Sequence, residues 1–441
     1  MAIGMAAKSV TKISDNRNRD LSISPDFDCG SPTDLSSQSW DLAVMGAGPA
    51  GALVAGLAAK NGLRVALLEK EPWPRNKVCG CCLNGRGVRI LREAGVLEYL
   101  PDSERVILGK MELRVLWGKA RFNLPEGLVM TRPAMDGALV SWAIGCGVSF
   151  FPQTRGKPLV AGKNFSEMGE NGRQQTATSE IPLQEFSTST DGATTKEIPI
   201  GWESPSKKGI LRSKVAVGSW GLVGPGGDQD AFWGQDVSPK SRIGAGTTLP
   251  AAASVLPEPG KLWMIAGVGG YVGLVRFANG TIDAAAALDA GYVRLSGGLA
   301  QATSRIVEKT DPGLAHACAQ ASWKGTPPLT RTSRTPGAHR FFLLGDAVGY
   351  VEPFTGEGMT WALAGARALA SLLPRAVGDW NDNMVGEWAR LHQKSVGSRS
   401  GLCRAFSKIL RYPVLCAGLT GLAGFCPPLA TRIAHSLTRD S

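Results

Sequence analysis

The chain has 441 residues, of which 43% are apolar and 19% charged; it is long enough for two cores and too apolar to be disordered throughout. A net charge of +11 suits anionic small-molecule partners, but the basic residues are scattered and not interleaved with aromatics, which argues against nucleic acid. Nine cysteines, an odd number, do not make a disulfide framework. Cys79, Cys81 and Cys82 lack the second Cys/His pair that a zinc site needs, so they read as free thiols in a reducing cytoplasm, with no metal.

In chain order, residues 1–39 are rich in Ser, Asp, Asn and Lys and carry no continuous apolar run. They read as a disordered tail rather than a secretory signal. Order is expected from Trp40. Asp41–Met45 is a short apolar strand, Ala50–Asn61 a small-residue helix, and Arg64–Glu69 a buried strand ending on an acid, which together make one βαβ unit. Gly85–Ala94 and Ala134–Ile144 read as helices, with strand-like pieces around Glu112–Leu124. Residues 152–209 are rich in Ser, Thr, Glu, Gly and Pro and read as a low-complexity insertion or surface loop. Strand-like segments return at Lys214–Val217, Arg242–Thr248, Lys261–Gly267 and Tyr271–Phe277. Phe341–Leu344 is a further buried strand, followed by a helix over Gly358–Leu373. Leu402–Ala434 is apolar with basic edges and is interrupted by Pro413, Pro427 and Pro428. It reads as helices covering the core, with peripheral membrane contact through 402–434 as the alternative.

Gly46-Ala47-Gly48-Pro49-Ala50-Gly51 fits G-x-G-x-x-G. The first Gly permits the tight turn, the second lets backbone approach a pyrophosphate, and the third packs helix on strand. The helix N-terminus offers free N–H groups and a positive dipole to phosphate. Glu69, with Lys70 after it, ends the next strand, where a carboxylate can accept both hydroxyls of an adenosine ribose. A second signal is Gly345-Asp346, which places a carboxylate at a strand end; Pro353 follows, then Thr355-Gly356-Glu357-Gly358-Met359 opening a helix. Bare N–H groups there suit the flavin edge that gains charge on reduction.

With those stretches in view, the sequence resembles the FAD-dependent oxidoreductases of the geranylgeranyl reductase type, within the wider class that includes aromatic-hydroxylase and other FAD-dependent monooxygenases. Two further stretches carry the resemblance: Pro74-Arg75-Asn76-Lys77-Val78-Cys79-Gly80, which fits P-x-x-x-x-C-G, and Arg132 with Asp136. The resemblance implies FAD, with Arg132 near the pyrophosphate or ribityl chain and Cys79 and Gly80 near the isoalloxazine ring. It also implies an α/β fold: a Rossmann-like FAD-binding domain interrupted by a substrate domain with a mostly antiparallel sheet, plus C-terminal helices. The expected division is 40–105, 130–150 and 314–375 for the FAD-binding domain, 106–129 and 210–313 for the substrate domain, and 376–441 for the helical end. Two departures stand out. Ser219-Trp220-Gly221-Leu222 has Trp where the class often has Asp, and Gly269–Arg276 replaces the aromatic-rich substrate motif.

The expected activity is reduction of a C=C bond in a lipophilic small molecule by hydride from reduced flavin. The alternative is a monooxygenase that hydroxylates an aromatic or polyketide-like substrate through a C4a-hydroperoxyflavin. A second alternative is an electron-transfer flavoprotein dehydrogenase or a non-catalytic flavin-binding protein. No second glycine fingerprint follows a strand, so NAD(P)H is expected as a transient electron donor. Cys79, Tyr271 and Trp361 are the candidate catalytic side chains, and Trp263 and Arg276 are further candidates for lining the substrate pocket.

Overall fold

The structure is a computed structural model. It describes residues 32–116, 118–159, 196–224, 233–250, 257–352 and 356–397, with Cys403, Ile409, Arg411, Tyr412 and 416–418. Five strands form a parallel sheet in the order Phe341–Leu343, Lys208–Gly218, Ser39–Met45, Val65–Leu68 and Ser149–Phe151. Numbered along the chain this is 5-4-1-2-3, a doubly wound sheet whose order reverses between Ser39–Met45 and Lys208–Gly218. Ligands of such sheets bind beyond the carboxyl ends of the strands at that reversal. The first strand runs 42 to 45 without a polar residue and is buried there, as a strand covered on both faces must be.

The helix Pro49–Lys60 is buried along most of its length, because it is covered by Arg132–Gly145 and by Glu357–Gly378. That position explains its near-uniform Ala, Gly, Leu and Val content, since a helix covered all round has no polar face to keep. One core joins this sheet and its helices.

The second sheet has eight strands in the order Lys324–Pro328, Ile243–Leu249, Ile282–Leu288, Gly270–Arg276, Lys261–Gly267, Val106–Val115, Gly118–Val129 and Cys82–Leu83. Its neighbours are antiparallel, except that Lys261–Gly267 runs parallel to Val106–Val115. Its core on one side includes Met111, Leu262, Met264 and Tyr271. On the other, Trp263, Ile265 and Val272 pack with Ala302, Ile306 and Leu314, which come from the helices Leu299–Val307 and Pro312–Gln320. The α/β architecture with a mostly antiparallel second sheet is therefore present.

Several segments sit elsewhere than the sequence reading put them. The helix Pro32–Ser37 and the start of the first strand at Ser39 fall inside the stretch expected to be a tail, and Leu35 is fully buried. Lys208–Gly218 was divided between the insertion and the substrate domain, yet it is a central strand of the parallel sheet. Within the insertion, Ile198–Glu203 pairs antiparallel with that strand and Arg155–Pro158 pairs with Ile198–Glu203; residues 160–195 lie outside the described residues. Lys324–Pro328, placed with the FAD domain, is an edge strand of the large antiparallel sheet. Edge and central strands differ in partners rather than in local composition, so a single segment of sequence does not say which sheet it joins.

Most of 402–434 lies outside the described residues. The described part packs inward: Cys416 and Ala417 are buried, and Arg411 Nη1 is 2.8 Å from Asp289 Oδ1. Among the described residues no helix is long and apolar enough to cross a membrane.

Candidate functional site

A cleft of about 800 Å³ opens at the sheet reversal and continues to the second sheet. At the first end the strand Ser39–Met45 hands over to Gly46, whose φ of +105° is a left-handed value that glycine takes without strain. A Cβ on Gly46 would lie 2.5 Å from the Ser219 carbonyl oxygen, and one on Gly51 would fall inside contact distance of Gly46 O and Ser219 Oγ. These two glycines pack the turn against the neighbouring strand's end. Gly48 differs: a Cβ there would meet only Arg75 Nη2, at 3.3 Å, because Gly48 lines the open cleft. Gly48 is also the N-cap of Pro49–Lys60 and supplies no side-chain cap, so free N–H groups of the first turn remain for an anion. Pro49 lines the cleft beside it, while Ala50 and Gly51 lie behind the turn.

Glu69 is buried and already engaged. Its Oε2 accepts from the Ala47 N–H at 2.9 Å and its Oε1 from the Glu71 N–H at 3.1 Å. Arg75 Nε lies 3.2 Å from the same Oε2. The carboxylate thus braces the glycine turn, with lone pairs left for a ribose hydroxyl. From Arg75 the charges continue: its Nη2 is 3.5 Å from Asp136 Oδ2, and Asp136 receives Arg132 through three contacts of 2.8 to 3.2 Å. Thr131 caps this helix by accepting from the Ala134 N–H, which fixes Arg132 at its first turn. Lys77 Nζ stands 3.9 Å from Asp346. Burial holds the Lys77 ammonium below its ordinary value; Asp346 opposes this, and Arg132 and Arg75 add to it, although about a third of the side chain stays open to the cleft. Gly345 has φ +66° and turns the chain so that Asp346 lines the cleft.

Arg75, Lys77 and Arg132 and two uncapped helix starts therefore face one space. The second start is Glu357–Gly378, whose N-cap Gly356 has φ +72° and provides no side-chain cap. Gly356, Gly358 and Met359 line the cleft, as do Lys70, Cys79, Gly80 and Arg132. Pro353 lies outside the described residues. The donor set fits a dinucleotide diphosphate with a polyol: cations and bare N–H groups for the phosphates, Glu69 and Asp346 for hydroxyls.

Cys79 lines the cleft. The hydrogen bond from the Cys81 thiol, then the Arg132 charge, pull its thiol down to about 6, against the opposing effect of burial. Behind it, burial first and then Cys79 push the Asp283 carboxyl well above the carboxylate range; Cys81 and Arg132 oppose this.

The far wall is built from small and apolar residues of the second sheet: Gly244, Ala245, Met264, Gly273 and Ala285–Ala287. Lys324 and Thr326 of the edge strand also line the cleft, and a tyrosine is set into the wall. Tyr271 is 5% exposed and lines the cleft. Burial, followed by the charge of nearby Glu352, raises its hydroxyl well above its ordinary value. Glu352 Oε1 accepts from Arg242 Nη1 at 2.9 Å, both side chains being 1% exposed.

Three expected pocket residues are placed elsewhere. Trp361 packs with Val351, Val396 and Cys403 and does not line the main cleft. Trp263 faces the opposite side of its strand, in the core with Ile306 and Leu314, with the Arg114 guanidinium 3.7 Å from its ring centroid. Arg276 Nε donates to the Gly280 carbonyl at 3.3 Å and stays with its own turn. Strand alternation explains Trp263, since neighbours of cleft-facing Leu262 and Met264 point the other way. Trp220 does line the cleft; its ring packs near Phe341, at 5.9 Å, and Trp233, at 6.3 Å. Arg75, Lys77, Asp283, Tyr350, Glu352 and Arg242 were not singled out as site residues. Arg75 and Lys77 had a signal, since both stand inside P-x-x-x-x-C-G.

Residues 39–138 match the family model described as an FAD binding domain. The match assigns an FAD-binding domain to those residues. It is 24% identical over 360 residues to conditioned medium factor receptor 1 of Dictyostelium discoideum, covering 76% of this chain and 62% of that protein. It is 40% identical over 67 residues to a menaquinone reductase of Mycobacterium tuberculosis, covering 15% of this chain and 16% of that one. The chain thus spans less than two thirds of either relative. Among solved structures, a flavoprotein/dehydrogenase of Cytophaga hutchinsonii superposes with a TM-score of 0.70 at 15% identity, covering 91% of this chain and 93% of that one. A flavin-dependent brominase superposes at 0.69 with 14% identity, covering 91% and 94%. The p-nitrophenol 4-monooxygenase of Pseudomonas putida gives 0.66 at 15% identity, covering 92% and 100%. These likenesses concern the fold. The narrower geranylgeranyl-reductase resemblance rests on the sequence motifs alone.

Proposed function

We propose that the chain is an FAD-dependent monooxygenase that hydroxylates an apolar, aromatic small molecule, rather than the C=C reductase expected first from its sequence. The observation that carries this reading is the shape of the cleft. It joins the glycine turn to an apolar wall with one buried hydrogen-bonding anchor, Tyr271, suited to a ring bearing a hydroxyl. Likeness of fold to a brominase and to p-nitrophenol 4-monooxygenase supports it.

In this reading Arg75, Lys77 and Arg132 would hold the diphosphate and ribityl region, Asp346 would accept from a hydroxyl of that chain, and the Gly356–Met359 turn would offer its N–H groups to the ring. Bound there, FAD supplies two-electron redox chemistry and the activation of oxygen, with NAD(P)H as transient donor. The chain's own residues do the rest. Tyr271 keeps its proton through the ordinary pH range and offers its hydroxyl in the cleft wall, beside Glu352, to a ring bearing a hydroxyl. Arg242 fixes Glu352 in turn. The small-residue wall excludes water from the ring.

The test is oxygen uptake with labelled O₂ in the presence of NADH or NADPH, comparing phenolic aromatics with polyunsaturated lipids. Label in a hydroxylated ring is the expected result. A saturated product formed without oxygen uptake would restore the C=C reduction reading, and a colourless protein that refuses FAD would end both.

A further inference from the structure

The buried Arg242–Glu352 pair does not end in the core. Arg242 Nε is 3.5 Å from Asp289 Oδ1, and Arg411 Nη1 is 2.8 Å from that same oxygen. Glu352 Oε1 lies 2.9 Å from Arg242 Nη1. The four charges make one chain from interior to surface: the Arg242 and Glu352 side chains are 1% exposed, Asp289 36% and Arg411 25%. Arg242 also reaches the cleft wall, because its guanidinium carbon stands 5.5 Å from the centroid of the Tyr271 ring, within cation–π range. Through this chain the C-terminal segment touches the support of the proposed substrate anchor.

Asp289 serves two arginines rather than its helix. It is the N-cap of Ala290–Ser296, where an aspartate ordinarily accepts from the first turn, yet its side chain makes no cap hydrogen bond. Its backbone is fixed beside the anchor: the N–H donates to the Gly269 carbonyl at 2.7 Å, and Ala287, two residues earlier, is the register partner of Tyr271. Arg411 is fixed as well. Its Nη2 donates to the Lys240 carbonyl, and Cys416 and Ala417 beyond it are buried in one apolar cluster with Met264 and Tyr271. The two contacts on Asp289 Oδ1 are unequal. The short one belongs to Arg411 and the long one to Arg242, which leaves Arg242 for Glu352.

We propose that Arg411 is a positioning residue for the substrate end of the cleft: by occupying Asp289 it keeps Arg242 on Glu352 and on the Tyr271 ring. The proposal rests on Tyr271 being the anchor for a hydroxyl-bearing ring. Without the Arg411 charge, the Asp289 carboxylate faces one cation of this chain only, and Arg242 is that cation. Attraction between unit charges strengthens as they approach and as water is excluded. A carboxylate relieved of its surface partner therefore draws Arg242 outward, away from Glu352 and the tyrosine. Tyr271 then loses the ring contact that sets where its hydroxyl stands. A neutral side chain at position 289 has no such pull, so removing the Asp289 charge from the same protein should return Arg242 to Glu352. The C-terminal segment thus tunes how the cleft reads a ring's hydroxyl.

The test is binding rather than turnover, so its failure and that of the monooxygenase reading are separable. Dissociation constants of phenol and toluene are taken from the change in flavin absorbance of the full-length, FAD-loaded protein. Arg411→Met should weaken phenol binding about three- to fivefold, the scale of a partly exposed ion pair, and leave toluene unchanged. Arg411→Lys, which keeps the charge, should stay close to the parent. Adding Asp289→Asn to Arg411→Met should restore phenol binding, a reversal that two merely structural losses would not give. An Arg411→Met protein that keeps its full preference for phenol, an equal loss on both rings, or a double variant weaker than the single one would each overturn the proposal. A parent that binds phenol no better than toluene would overturn the Tyr271 reading and this proposal with it. Melting of Arg411→Met, expected to match the parent by circular dichroism, separates repositioning from misfolding.

Discussion

The glycine turn offers a way to separate cofactor binding from folding, using two residues of one motif. Gly48 has φ −76° and ψ −176°, which alanine adopts freely, and its added Cβ would meet only the end of a flexible Arg75 at 3.3 Å. The loss to the fold from Gly48→Ala is that of replacing Gly by Ala at an N-cap, about 1 kcal/mol or less, against a total of roughly 5–15 kcal/mol. Melting of the flavin-free protein should fall by about 2 °C or less, since a large chain moves little per kcal/mol. The same methyl stands where backbone must approach the diphosphate, so FAD affinity should fall at least about tenfold, or about 1.4 kcal/mol.

Gly51→Ala reverses the pattern. Its Cβ would overlap the Gly46 carbonyl oxygen and Ser219 Oγ, neither of which can retreat without moving a strand end. Overpacking of this kind costs roughly 1–3 kcal/mol, so this variant should melt lower even without FAD. Differential scanning calorimetry on flavin-free protein and fluorescence titration with FAD give the two readouts. Parent-like FAD affinity in Gly48→Ala, or parent-like melting of flavin-free Gly51→Ala, would refute the reasoning.

Three further outcomes are expected. The rate of Cys79 alkylation by iodoacetamide, followed at its own peptide, should rise through about pH 6 and fall as pH drops below it, because only the thiolate reacts. Cys81→Ala should move that midpoint upward, and a midpoint unchanged from the parent would refute the assignment. Glu352→Gln removes the nearer carboxylate from the fully buried Arg242, which keeps Asp289 Oδ1 at 3.5 Å from its Nε, and should cost up to roughly 3 kcal/mol by urea unfolding. The double change Arg242→Met with Glu352→Leu should recover most of it, and strict additivity would exclude the pairing. Because Cys416 and Ala417 are buried and Arg411 pairs with Asp289, removing 402–441 should leave pelleting with neutral or anionic liposomes unchanged. A full-length chain that pellets while the truncated one stays in solution would show a lipid contact there.

What could be read from the chain divides along a physical line. The glycine turn, Glu69, Arg132 and Asp346 were legible because each sits at a strand end or helix start, and such positions combine a local signal with a fixed direction toward the ligand. Every one of them lies at the mouth of the parallel sheet. The residues that shape the other wall had no such signal. Tyr271 is among the candidates named from the sequence, but Glu352 and Arg242 behind it come from separate segments, and a buried ion pair leaves no periodic trace in sequence. Trp263 and Trp361 misled because large aromatics are as common in cores as in pockets, and only the strand's alternation decides which face holds them.

The same division explains why cofactor chemistry is better defined than substrate chemistry. The cofactor end is made of backbone that must turn, approach or cap, so its residues are constrained by conformation: Gly46 by its left-handed φ, Gly51 by the contact it makes, Gly356 by the helix it starts. The substrate end is made of space left by Gly273 and Ala285–Ala287, and space constrains size and polarity without naming a molecule. Tyr271 adds a buried polar atom to that wall, beside Glu352, and so sets where a hydroxyl-bearing ring would have to point. Tyr271→Phe should accordingly leave FAD content unchanged while weakening turnover of phenols by about 10²-fold and sparing rings without a hydroxyl. Equal losses on both substrates would mean that the tyrosine only fills the wall.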